Sequence, residues 1–247
     1  MRCDVSTERK ALRLVAGALL KIVIALCVSG VMAQPRHIVY IEASTVNRWK
    51  LDSFAARTNT ERYHFEVLRE YDFDKSRLVR QVVAARERRP DAVVLQECAA
   101  YFPGDLDAYK RLFRGWIEEI QGHGLLPVVA TIVPPAHSKG WLEDAKDFAK
   151  ERIFRRPSQY QQVVAFNEWL RALGAELRVP VFDLEQMLRI STQDRHMRGE
   201  YNAGDGIHLA PVAYERLDWE MLQFLDRLAH PAGTPLIFSS LVSGIAQ

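Results

Sequence analysis

The sequence predicts an α/β domain in which helices cover both faces of a single parallel sheet. Three observations predict it. Short apolar runs alternate with longer amphipathic stretches across residues 36–230. Runs such as Val93-Val94-Leu95 are apolar at every position, which suits strands buried on both faces. The stretches between runs are long enough for right-handed βαβ crossovers.

The elements follow in order. Residues 37–41 read as a first strand and 64–68 as a weaker second one. Residues 76–88 place Leu78, Val79, Val82 and Val83 on one helical face. A third strand covers 91–95 after Pro90, and an amphipathic helix covers 106–121. A fourth strand runs over 125–133 and stops at Pro134-Pro135. Residues 158–177 form a long helix with Val163, Phe166 and Leu170, and 179–184 a fifth strand. The last helix covers 211–228 and opens on Pro211, where a missing N–H does no harm. Residues 139–157 read as a charged excursion, and 231–247 as a C-terminal tail.

Residues 1–33 stand apart. Arg2, Arg9, Lys10 and Arg13 precede an apolar stretch, and Val31-Met32-Ala33 offers a cleavage site before Gln34. This is the layout of a secretory signal peptide, so the expected location is the periplasm or the exterior. The alternative is a signal anchor tethering the domain through residues 14–33, although Lys21 sits inside that stretch.

Of the 247 residues, 48% are apolar and 26% charged, an ordinary globular composition. The leader holds five of the 33 basic and two of the 31 acidic residues, leaving 28 and 29, a formal charge of −1. Nothing in that balance points to nucleic acid. Without the leader only Cys98 remains, so no internal disulfide is expected. The seven histidines show no metal-ligand spacing, and no glycine-rich phosphate loop or G-x-S-x-G elbow occurs. No cofactor and no metal are expected.

Ligands of such sheets bind beyond the carboxyl ends of the strands. The loop before the last helix reads Asp205-Gly-Ile-His208. Three residues apart on one helical turn, the carboxylate can hold the imidazole in one tautomer and leave its other nitrogen to take a proton. Ser44, just after the first strand, is the candidate nucleophile, and its backbone N–H could serve an oxyanion. Tyr101, Phe102, Trp141 and Tyr201 are candidates to line the mouth.

From residue 37 to about 228 the chain resembles the SGNH, or GDSL-like, hydrolases. The D-G-I-H-L-A-P-V-A-Y block carries the likeness, with P-D-A-V-V-L-Q and V-V-A-T-I-V-P-P in support. The resemblance implies a flavodoxin-like three-layer sandwich with five parallel strands and a triad of Ser44, Asp205 and His208. The family's Gly-Asp-Ser is here Glu42-Ala43-Ser44, and Cys98 and Ala100 stand in its Gly-x-Asn block. Substitute oxyanion or substrate groups are Gln96, Glu97, Asn202 and His137. The expected function is an exported serine esterase acting on O-acyl, for example O-acetyl, groups of a small molecule, carbohydrate or envelope polymer. The alternatives are an acyltransferase, or a catalytically impaired binding or assembly module in polysaccharide export.

Overall fold

The computed structural model describes residues 36–42, 48–70, 72–97, 105–138 and 157–229, with 145, 148–149 and 152–153 between the last two. The predicted leader, Ser44, Cys98, Ala100, Tyr101, Phe102, Trp141 and the C-terminal tail lie outside the described residues.

Five strands form one sheet: β1 Arg36–Glu42, β2 Tyr63–Arg69, β3 Ala92–Gln96, β4 Leu126–Ala130 and β5 Val181–Phe182. Their order is β2-β1-β3-β4-β5, and every pairing is parallel. This is the expected flavodoxin-like sheet, with the order reversing between β1 and β3. The helices bounded within the described residues are α1 Phe54–Thr58, α2 Ser76–Ala84, α3 Leu106–Gly122, α4 Gln159–Leu177, α5 Leu184–Leu188 and α6 Pro211–Ala229.

Strand alternation sorts the core into two layers. Ile38, Tyr40, Val94, Val128 and Ala130 pack against α1, α5 and α6. Val39, Ile41, Val93, Leu95 and Val129 pack against α2, α3 and α4. Both faces are therefore covered, as the unbroken apolar runs require. No helix of the described residues is long and apolar enough to cross a membrane.

Several boundaries differ from the sequence reading, each for a local reason. β4 stops at Ala130, although Ile132 and Val133 are buried. Beyond it, the Asn167 side chain takes over the pairing: Oδ1 accepts from Ile132 N–H at 2.7 Å and Nδ2 donates to the Ile132 carbonyl at 2.9 Å. β5 has only two residues because Asp183 accepts from Gln186 N–H and turns the chain into α5. α2 ends at Ala84, since Arg86-Glu87-Arg88 adds nothing apolar to its face. Helix α4 begins on a capping box between Ser158 and Gln161. Helix α1 has no periodicity to betray it, yet it buries Phe54 edge-on against Phe65 with 4.9 Å between ring centroids.

Candidate active site

The loop before α6 is closed by an antiparallel bridge between Asn202 and Leu209. Asn202 Oδ1 accepts from Gly204 and Gly206 N–H at 3.0 and 2.9 Å. Gly204 and Gly206 have φ of 104° and 77°, which a side chain would disfavour. Ala136 N–H donates to the Gly206 carbonyl at 2.9 Å, docking the loop onto the segment after β4. The sequence thus builds a stiff cradle around Asp205.

Asp205 Oδ1 accepts from Ile207 and His208 N–H at 2.9 and 2.7 Å, and Oδ2 meets His208 Nδ1 at 2.5 Å. The predicted pair is present, but not on a helical turn. The chain bends at residues 204–208, and the aspartate clamps the bend from inside. The side chains are 52% and 40% exposed, so the imidazole is open to a ligand. With Nδ1 committed to Asp205, Nε2 is the nitrogen left to exchange a proton.

Burial pushes the Asp205 carboxyl up, but bonds from His208 N–H, Ile207 N–H and the His208 ring outweigh it and bring it down to about 2. An unfolded aspartate takes up its proton near about pH 4. The clamp therefore stabilises the fold fully above about pH 4 and progressively less as pH falls to about 2. Asp205→Asn is expected to unfold at lower urea than wild type at neutral pH and to converge with it towards pH 2. A difference in midpoint that does not change with pH would contradict this.

The other candidates fall in different places. Gln96 is buried on the face covered by α6, with its Oε1 accepting from Tyr40 hydroxyl at 3.1 Å. Its amide nitrogen is buried and has no partner among the described residues. Glu97 points to the opposite layer, where it meets Lys75 Nζ at 2.6 Å and the Tyr109 hydroxyl at 2.5 Å. It is committed to that buried ion pair rather than offered as a substrate group. Glu42 is buried against Arg69 at 2.6 Å. Burial raises its pKa, and Arg69 opposes that rise. Tyr201, proposed for the mouth, is instead part of the core.

His137 belongs to a cluster that sequence spacing did not reveal. Its Nε2 meets Asp194 Oδ2 at 2.7 Å, and His196 Nδ1 meets Asp194 Oδ1 at 2.8 Å. The two imidazoles stack with centroids 3.9 Å apart, and Tyr160 stacks on His196 at the same spacing. Hydrogen bonds from His196 and His137 draw the Asp194 carboxyl down to about 2. The ligand atoms of this trio lie within 4.8 Å of one another, a composition that suits a metal. The stacked rings, however, direct their nitrogens to separate carboxylate oxygens. As placed, the two rings hold Asp194. The D-x-H spacing of Asp194 and His196 is the only trace in the sequence.

The chain has the fold of the SGNH, GDSL-like hydrolases. A GDSL-like lipase from Bacteroides thetaiotaomicron superposes with a TM-score of 0.58 at 15% identity, over 80% of this chain and 93% of its own. An acetyl xylan esterase superposes with a TM-score of 0.51 at 14% identity, over 75% and 98%. No protein-family model and no curated protein matches the sequence.

Proposed function

We propose that this protein is an exported serine acylhydrolase of SGNH type that removes O-acyl groups from a carbohydrate or envelope polymer. The observation that carries the reading is the Asp205–His208 pair, clamped in one geometry with one imidazole nitrogen open. Ser44 Oγ attacks the ester carbonyl as its proton passes to His208 Nε2. The tetrahedral intermediate collapses, and His208 returns the proton to the leaving alkoxide. Water then attacks the acyl-enzyme by the same relay and releases the carboxylic acid.

Charge around this end of the sheet favours the reaction. Glu42 and Glu97 would oppose a developing oxyanion, but each is paired with a cation, Arg69 and Lys75. Gln96 offers an amide N–H at the end of β3, on the α6 face. It is the side-chain donor assigned here in place of the family's asparagine. A leader with a basic start and an apolar core supports export. The acetyl xylan esterase among the structural neighbours supports a carbohydrate ester.

An active-serine fluorophosphonate probe tests the assignment. Wild type should be labelled, and Ser44→Ala and His208→Ala should not. Failure to label folded wild type would overturn the enzymatic reading and leave the fold to a binding or assembly role.

A further inference from the structure

Beside the Asp205–His208 loop lies a cavity of about 620 Å³. Arg48, Lys50 and Arg57 form one wall, and Leu209, Ala210 and Pro211 another. The charges in it can be resolved one by one. Arg57 and Asp218 neutralise each other through contacts of 2.6 and 2.8 Å, and the Trp49 indole N–H also donates to Asp218 at 2.7 Å. That lock fixes the wall against α6. Glu215 is the remaining acid. Arg48, Lys50 and Glu215 are all exposed and have no ion-pair partner among the described residues. Counted over the described lining residues, the cavity therefore carries one unbalanced positive charge.

A second observation points the same way. The Tyr214 hydroxyl, in the same wall, is buried and has no hydrogen-bond partner among the described residues. Burial, opposed by Arg48 and reinforced by Glu42 and Asp205, brings this phenol up to about 12, so it remains a donor at neutral pH. An unmade hydrogen bond at a buried hydroxyl is unfavourable, and a ligand whose acceptor meets it when the side chain turns out of the wall would relieve it.

We propose that this cavity is a subsite for a carboxylate-bearing part of the substrate, with a uronate ring as the chemical type, held by Arg48 and Lys50 beside the reacting ester. A guanidinium grips a planar carboxylate through two parallel bonds. One net positive charge matches a monoanion and leaves a phosphate dianion uncompensated. The Leu209-Ala210-Pro211 wall suits the apolar face of a sugar ring. Asn202 and Leu209 belong both to this cavity and to the loop that carries His208, which places the bound ring next to the chemistry. The position relative to the ester rests on the acylhydrolase reading; the binding itself does not.

Calorimetric titration of the folded protein with trigalacturonate and with neutral xylotriose tests it. Trigalacturonate should bind at least about tenfold tighter, and raising salt to about 0.5 M should erode the advantage. The Arg48→Gln/Lys50→Asn double variant should lose about tenfold in affinity for trigalacturonate alone. Asparagine is chosen because residue 50 has φ 50°, a conformation it tolerates. Equal binding of the two trisaccharides would overturn the proposal even if the variant fails to fold, as would a folded variant with unchanged affinity. Inorganic phosphate displacing trigalacturonate at lower concentration than acetate would overturn the carboxylate assignment. Hydrolysis of 4-nitrophenyl acetate by the same wild-type sample separates the two readings. Turnover without uronate preference removes the subsite alone, and uronate binding without turnover removes the hydrolase alone.

Discussion

His208→Ala should lower kcat for 4-nitrophenyl acetate by about 10⁴–10⁶-fold while leaving the fold intact. The side chain is part-exposed, and among the described residues its ring makes one hydrogen bond, to Asp205. Its removal opens no core cavity, so circular dichroism and urea midpoint should change little. On the proposed mechanism the kinetic loss is large because His208 is the base for Ser44, while among the described residues nearby Asp205 is committed to the Ile207 and His208 N–H groups and His137 is held by Asp194. Asp205→Asn should cost about 10³–10⁴-fold, since an amide that donates to Nδ1 selects the wrong tautomer. The two losses should not add, because the aspartate acts only through the histidine. A His208→Ala enzyme retaining more than about a tenth of wild-type kcat would remove His208 from the mechanism.

The layer order and the Asp205–His208 pair were legible because each rests on short-range pattern. The middles of strands β1 and β3, residues 38–41 and 92–95, are apolar throughout, and the pair sits three residues apart in one loop. What failed was anything decided by side-chain hydrogen bonds from a distance. Apolarity runs on through Ile132 and Val133, but Asn167, 35 positions away from Ile132, ends the strand. The aspartate and histidine were expected on a helical turn; the positive φ of Gly206 makes a clamped bend instead. The pairing of two carboxylates was hidden because their cations are remote in sequence: Arg69 lies 27 residues from Glu42 and Lys75 lies 22 from Glu97. The partners of His137 were hidden in the same way, with Asp194 57 residues off.

The Lys75–Glu97 pair carries the largest expected effect on stability. Both side chains are 1% exposed, and Nζ lies 2.6 Å from Oε2. Lys75 also donates to the Asp72 carbonyl at 3.2 Å, and Tyr109 donates to the same Oε2. Lys75→Met should destabilise the protein by about 3–5 kcal/mol, because it removes the ammonium paired with a buried carboxylate. For a domain of this size that corresponds to a fall in Tm of roughly 6–20 °C. Glu97→Gln in the same chain should recover most of the loss, since the uncompensated charge is then gone. Tyr109→Phe should cost about 1.5–3 kcal/mol, the worth of one hydrogen bond to a charged group. Thermal unfolding of the three variants decides the matter: a Lys75→Met protein within about 0.5 kcal/mol of wild type would show that the pair holds nothing. On the proposed role of Gln96, the effect reaches the site through the chain itself. Glu97 follows Gln96 directly, so the ion pair on one face of the sheet fixes the residue that presents its amide on the other. Lys75→Met should therefore also lower kcat below the temperature at which it unfolds, whereas a substitution of equal stability cost far from β3 should not.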